Sequence, residues 1–363
     1  MIKNFLLILI GIIPFLIGCG DRFDSSVMTG TAGLGNAGGD TLYVQMKSDL
    51  PGQIFNNPQA MILGHEPFIY VCDTDNDRIV MLNIDGAYVG SIGIKRPIAI
   101  AQDQRLNLIV CAQFDTSINN KVVSFSAVYK INLVAANHVI ENAPIKRILP
   151  RTTEEFSKPW RKYKAVVAFF DNSYYVARVG PNNTDISQEP DNSLMQFVPF
   201  DHDSDMAYPR VHDIDPLSAG LISADSINCM TPFSSKNLDF IATFSSESSF
   251  KAQWFHHYSS VAAEGYMSQF GSHDGVAFVK PGKFVHPTGN CLGDNGEIFV
   301  ADASPVKDSI YKFSKYGDEL QSFGGPSVFS RPVAVTFYDK TLYVLDAGKN
   351  QIIRFKLSTD QSQ

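Results

Sequence analysis

Short apolar runs closed by Asp, Asn or Gly recur along the chain, and four stretches of them align. Pro58 leads to Ile69-Tyr70-Val71-Cys72-Asp73 and then Ile79-Val80-Met81-Leu82; Pro97 leads to Leu108-Ile109-Val110-Cys111 and, after an insertion, Val128-Tyr129-Lys130-Ile131. Pro287 leads to Ile298-Phe299-Val300-Ala301-Asp302 and Ile310-Tyr311-Lys312-Phe313; Pro332 leads to Leu342-Tyr343-Val344-Leu345-Asp346 and Ile352-Ile353-Arg354-Phe355. The offset from Pro to the marked Val is 13, 13, 13 and 12 residues. Each unit reads as short strands rich in β-branched and aromatic residues with polar turns between them. A fourth strand follows and closes on Gly, as in Ala87 to Gly93 and Glu319 to Gly324.

Four antiparallel strands in a unit of about 40–45 residues make a propeller blade. One twisted sheet cannot cover both its faces, so the core must form between neighbouring units. Between Pro97 and Pro287 the repeat blurs, but two more hairpin patterns are legible. Ala165 to Phe170, Tyr174 to Val179 and Leu194 to Val198 form one; Ile227 to Met230, Leu238 to Phe244 and Phe250 to Phe255 form the other. The expectation is an all-β, six-bladed β-propeller over residues 41–358, with seven blades as the alternative if Lys146 to Arg161 hides another unit. The last unit has three strands before a short tail, 359–363. The run Thr41 to Met46 at the other end is expected to supply the fourth strand and remove an open edge.

Composition narrows the class. Hydrophobic residues make up 44% of the 363 positions and charged ones 18%, too apolar for a disordered chain. The net charge of −7 argues against nucleic acid, whose binding rests on basic side chains neutralising phosphates.

The N-terminus reads as a targeting segment. Lys3 provides a positive start, and an apolar stretch runs from Phe5 to Ile17, shorter than the ~20 residues of a membrane-spanning helix. It ends in Leu16-Ile17-Gly18-Cys19, which resembles a bacterial lipobox. The resemblance implies cleavage of residues 1–18 and lipid attachment at Cys19, whose acyl chains anchor the protein in the bilayer at ~0.8 kcal/mol per buried CH₂. It also implies the bacterial envelope, and Gly20 after the Cys favours the outer membrane. Removal of residues 1–18 takes away Lys3 alone, leaving 29 basic against 37 acidic side chains, a balance of −8. Such a body is expected to stand off an anionic surface. Residues 19–40 hold the lipidated Cys and a Gly-rich tether with a reach of about 25 Å.

Four further cysteines remain. Cys72 and Cys111 each lie 14 residues after a repeat Pro, where Ala301 stands in a third unit, so the position reads as a small packing site. With no C-x-x-C pair and no zinc spacing, Cys72, Cys111, Cys229 and Cys291 are expected to be free thiols.

The repeat residues Pro58, Val71, Asp73, Asn76, Arg78 and Ile79 resemble the NHL-repeat family of propellers, with further copies at Pro287/Asp302/Ile310 and Pro332/Asp346/Asn350/Ile352. Ser309 and Gln351 stand where those copies would carry Arg. The resemblance implies that Asp73, Arg78, Asp302 and Asp346 are structural: turn caps and inter-strand or inter-blade ion pairs. It also brings in six-bladed enzymes, metal-dependent lactonases and a zinc-dependent lyase, which set carboxylate, Asn or His ligands around a central channel.

No recurring His or Glu marks such a ligand set. Asp201-His202-Asp203-Ser204-Asp205 lacks the Gly and Glu of a calcium hand, having Met206 and His212 at those places. Asp73 to Asp77 belongs to the repeat. His256 and His257 are adjacent on a strand and point to opposite faces. No phosphate loop, G-x-S-x-G or H-E-x-x-H occurs. No cofactor is expected, calcium or zinc being the alternatives. The favoured function is a monomeric binding module for an envelope protein, peptide or glycan, and the alternative is a metal-dependent propeller enzyme. Asn57, Arg96, His286 and Arg331 directly precede the repeat Pro residues. Extended geometry before Pro is expected to bring them to the channel mouth, as an anion site or as staples to Asp of the adjacent blade.

Overall fold

The computed structural model describes residues 42–46, 55–184, 189–201, 204–217, 220–233, 236–247, 250–270 and 276–360. Cys19 and the segment expected to form the tether lie outside the described residues, as do 361–363.

The strand β1 (Tyr43–Gln45) comes first in the chain. The first blade follows as β2 (Ala60–Leu63), β3 (Phe68–Asp73), β4 (Arg78–Asn83) and β5 (Tyr88–Gly93). The second is β6 (Ala99–Gln102), β7 (Asn107–Ile118), β8 (Lys121–Asn132) and β9 (Ile145–Leu149). The third is β10 (Lys162–Ala168), β11 (Tyr174–Val179), β12 (Ser193–Pro199) and β13 (Asp205–Tyr208). The fourth is β14 (Ile227–Pro232), β15 (Phe240–Phe244), β16 (Ala252–Ser259) and β17 (Glu264–Ser268). The fifth is β18 (Pro287–Leu292), β19 (Ile298–Asp302), β20 (Ser309–Phe313) and β21 (Glu319–Gly324). The sixth contains β22 (Pro332–Tyr338), β23 (Thr341–Asp346) and β24 (Gln351–Leu357). Each blade is a four-stranded antiparallel sheet, and the sixth is completed by β1 on the outer edge of β24. The chain is a six-bladed β-propeller closed by its N-terminal strand.

Seven blades are excluded. Residues 146–161 hold β9, which is the second blade's fourth strand, and a single helical turn, α1 (Thr153–Phe156). Thr152 and Glu155 cap that turn reciprocally, Glu155 N donating to Thr152 Oγ1 at 3.2 Å and Thr152 N to Glu155 Oε2 at 2.9 Å. The insertion after Cys111 is an extension of the β7–β8 hairpin, twelve residues a strand. Its tip turns at Asn119-Asn120 with φ of 51° and 61°, the left-handed pair that a tight hairpin requires.

The core lies between blades. Alternation along β3 sends Ile69 and Val71 toward the sixth blade, where they meet Val333 and Leu345. Tyr70 and Cys72 go the other way, toward Leu108 and Val110 of the second. Four more clusters fill the other four junctions. Cys72, Cys111 and Cys291 are buried free thiols and Cys229 is a half-buried one. Ala301 is buried like Cys72 and Cys111, in keeping with a shared packing position.

Candidate functional site: the axial channel and its rim

The first strands of the blades, β2, β6, β10, β14, β18 and β22, stand around the axis and enclose a cavity of about 410 Å³. That lies within the usual range of small-ligand pockets. Small residues keep it open: Ala60, Ala99, Ala165 and Ala334 line it. Gly289 is required by close approach, since a Cβ there would sit 2.7 Å from Ala334 Cα and Val333 O. Hydrogen bonds tie neighbouring inner strands together. Asn228 Nδ2 donates to Pro287 O at 2.8 Å, Thr231 Oγ1 to Asn290 O at 3.0 Å and Thr288 Oγ1 to Pro332 O at 3.0 Å.

Among the described residues the wall carries no carboxylate, ammonium or guanidinium. It contains Gln, Asn, Thr and apolar side chains, two thiols and one imidazole. His65 Nε2 accepts from Gln104 Nε2 at 3.2 Å at one mouth. Burial pushes the Cys229 thiol up to about 11 and raises that of Cys291 well above its ordinary value, so both are protonated and poor nucleophiles at neutral pH. Among the described residues no group of three His, Cys, Asp or Glu side chains is placed to hold a metal ion. Asp205 of the acidic loop instead accepts from Lys130 Nζ at 2.7 Å and Tyr174 OH at 2.9 Å, joining the second and third blades. His256 rests on Asp239, Nδ1 to Oδ2 at 2.9 Å, and His257 on Glu264 at 3.1 Å.

At the end of the ring bearing the repeat Pro residues, Asp73, Asp302 and Asp346 are fully buried and bind backbone N–H groups that lead into the inner strands. Asp73 accepts from Asn56 N at 2.7 Å, Asn76 Nδ2 at 2.8 Å and Arg78 Nε at 2.8 Å. Asp302 accepts from Val285 N and His286 N, both at 2.8 Å; Asp346 accepts from Ser330 N and Arg331 N, both at 2.9 Å. Two such charge-assisted backbone bonds at Asp302, and three at Asp346 with Gly348 N at 3.1 Å, thus hold the carboxylate where Ser309 and Gln351 replace Arg. The Asp73–Arg78 pair spans β3 and β4 of one blade, so it is inter-strand rather than inter-blade.

The residues before Pro depart from the expected geometry. Asn57 and Arg96 have φ of 51° and 45°, left-handed rather than extended. Their N–H groups reach side chains in that conformation, Asn57 N to Asn350 Oδ1 at 2.8 Å and Arg96 N to Asp77 Oδ1 at 2.9 Å, which outweighs the local preference. Three of the four side chains form one string across three blades. Arg331 donates to Asn57 Oδ1, Asn57 Nδ2 to Asp75 Oδ2 at 2.9 Å, and Arg96 Nη1 to Asp75 Oδ1 at 2.8 Å. His286 is exposed and stands apart from that string. With Arg96 45% exposed, Arg96→Ala is expected to cost under ~1 kcal/mol in urea denaturation, the scale of a solvated ion pair.

Sequence reading missed two buried charge groups on the same end. Arg161 and Arg178 clamp the loop after β11: Arg161 Nε donates to Asp191 Oδ1 at 2.7 Å, and Arg178 to Asp191 O at 2.9 Å, Pro190 O at 2.8 Å and Glu189 Oε1 at 2.6 Å. No motif announces them, because the partners meet only when the loop folds back.

Asp308 is the other. It is 4% exposed, Oδ1 has no partner, and φ is 36°. Burial, and then the charges of Asp346 and Asp302, raise its pKa above the ordinary 3.8. As pH rises from 3.8 toward that raised value, the unfolded chain has released a proton that the folded one keeps, so stability falls and stays lower at neutral pH. Asp308→Asn is therefore expected to raise the melting temperature at pH 7 and to lose that advantage below pH 3.8, since Asn also tolerates positive φ. An equal gain at both pH values would show that backbone conformation alone is responsible.

No family model matches the chain, and no curated protein sequence matches it. Solved structures do. A protein of unknown function from Bacteroides thetaiotaomicron superposes with a TM-score of 0.55 at 12% identity, over 87% of this chain and 72% of that one. A gluconolactonase from Xanthomonas campestris gives 0.53 at 14% identity, over 90% and 99%. The PQQ-bound aldose sugar dehydrogenase of Streptomyces coelicolor gives 0.53 at 10%, over 89% and 100%. At these identities the likeness is one of fold.

Proposed function

We propose that this chain is a lipid-anchored binding module of the bacterial envelope, tethered through Cys19, whose ring receives an uncharged ligand in the axial channel. One observation carries the ligand part: a cavity of about 410 Å³ walled, among the described residues, by amide, hydroxyl, thiol and apolar side chains, with one imidazole at a mouth and no carboxylate, ammonium or guanidinium. A charged ligand entering it would lose hydration without a counter-charge, whereas an uncharged one exchanges water for amide and hydroxyl partners. The metal-dependent enzyme is the weaker reading, because the wall lacks carboxylates.

Two measurements test this. Cys19→Ser is expected to yield an uncleaved or secreted chain that no longer partitions into detergent; unchanged processing and membrane fractionation would refute the anchor. For the channel, pull-down from native envelopes is compared with Ile62→Trp and Ile98→Trp, which narrow the cavity from two blades. Loss of captured material by variants that melt like the natural protein is expected. Undiminished capture would move the binding site off the axis, and stoichiometric calcium or zinc in the purified protein would favour the enzyme.

A further inference from the structure

The end of the ring where the chain enters carries side chains that neither the channel nor blade packing uses. Pairing of Tyr43 with Leu357, and the bond from Ser358 N to Leu42 O at 2.7 Å, place Leu42 at the end occupied by the β22–β23 turn. In the other five blades the third strand runs into the fourth at this same end. Each of those connections, or the residue that ends it, exposes an apolar side chain: Tyr88 at the start of β5 at 57%, Val134 at 52% with Val139 at 46%, Phe200 at 70%, Val261 fully, and Tyr316 at 68%. Single exposed apolar residues are ordinary. One at the same topological place in five consecutive blades is a pattern, and the sixth place is where the N-terminal chain itself arrives.

We propose that this rim seats the ring on a lipid bilayer, its aromatic and aliphatic tips entering the headgroup boundary, while the extended β7–β8 hairpin points away from the lipid. The proposal rests on the lipidation of Cys19. Tyr suits that boundary, having an apolar ring and a polar hydroxyl, and Phe and Val enter it as purely apolar tips. The tips are spread around a circumference rather than gathered in a patch, which fits a flat fluid surface better than a single protein groove. Each of the five connections also carries or adjoins an acidic residue, Asp85, Glu141, Asp201, Glu264 and Asp318, against the basic Lys315 over the Tyr316 ring. The chemistry therefore selects zwitterionic headgroups. Anionic lipid repels the rim, and salt screens that repulsion. The stand-off expected from net charge thus applies to anionic surfaces alone.

The test uses the mature lipidated chain in phosphatidylcholine vesicles with brominated acyl chains. A fluorophore is placed through Val261→Cys or Tyr316→Cys on the rim, or through Ser117→Cys near the hairpin tip. Rim labels are expected to be quenched several-fold more than the hairpin label. Replacing half the lipid with phosphatidylglycerol at low salt should reduce rim quenching, and added salt should restore it. Tyr88→Ser with Phe200→Ser should lower quenching at Val261→Cys without changing the melting temperature. Equal quenching at both ends, or unquenched rim labels on an acylated, vesicle-bound chain, would overturn the seating and assign the rim to a protein partner or to solvent. Failure of the anchor is seen separately, as absence of acyl mass on Cys19. In that case co-sedimentation of the unacylated chain with the same vesicles supports the seating, and its absence overturns it.

Discussion

Tyr43→Ala is expected to lower the stability of the entire ring by about 3–5 kcal/mol, the cost of emptying a buried aromatic site. Tyr43 lies on the shortest strand of the sixth blade, yet it is 7% exposed, stacked on Phe323 at 5.3 Å and edge-on to Phe299 at 5.7 Å. Both partners belong to the fifth blade. The strand therefore closes the sixth sheet by hydrogen bonds and holds the fifth by packing. In a ring whose core is shared between neighbours, loosening one junction weakens all of them. Deleting residues 41–46 should have a larger effect still, because it adds an open edge along β24, while deleting 20–39 should leave the melting temperature unchanged. Equal melting temperatures for the two deletions would rule out closure by this strand as a source of stability.

Arg178→Met is expected to cost about 2–4 kcal/mol in urea denaturation, since two carbonyls lose a buried charged donor at about 1–3 kcal/mol each. The guanidinium is 2% exposed and supplies the carbonyls of Pro190 and Asp191 and the Glu189 carboxylate. Its loss leaves the Pro190 and Asp191 carbonyls without that donor, while the Glu189 carboxylate, 35% exposed, keeps water and Arg161 Nη1 at 3.6 Å. Asp191 itself keeps Arg161, Asn182 N and Trp160, whose hydrogen bonds overcome the effect of burial and hold its pKa below the ordinary value. Removing Glu189 as well, in Arg178→Met/Glu189→Gln, should recover little, because that carboxylate is solvated and still faces Arg161. The contrast with Arg96→Ala is the informative one: a cost for Arg178→Met no greater than that for the exposed pair would mean that the clamp adds nothing to stability.

Much of the ring was legible because its repeat is written in local terms. The spacing from Pro58, Pro97, Pro287 and Pro332 marks an inner strand, a turn and a second strand, and the second strands fall at β3, β7, β19 and β23. The third and fourth blades showed through alternation alone, at β10 to β12 and β14 to β16. β9 and β13, the fourth strands of the second and third blades, escaped. Ile145, Lys146 and Arg147 are exposed on an outermost strand, so nothing apolar distinguished them from a loop, and the same stretch left room for a seventh blade.

The site was less legible. Which residues wall the channel depends on the inward turn of six short strands, and uncharged side chains such as Asn228, Thr288 and Gln102 carry no motif. The rule that residues before Pro are extended failed at Asn57 and Arg96, where distant side-chain acceptors decided the backbone.

The propeller architecture, strand order and closure by β1 follow from periodicity and spacing, since a two-residue alternation and a fixed turn interval are properties of neighbours in the chain. The choice of six blades over seven came from the pairing of β9 with β8. The make-up of the channel wall, the Arg161–Arg178 clamp, the orphaned Asp308 and the apolar rim come from residues far apart in sequence. Only ring closure sets their distances, and hydrogen bonding and charge act through distance.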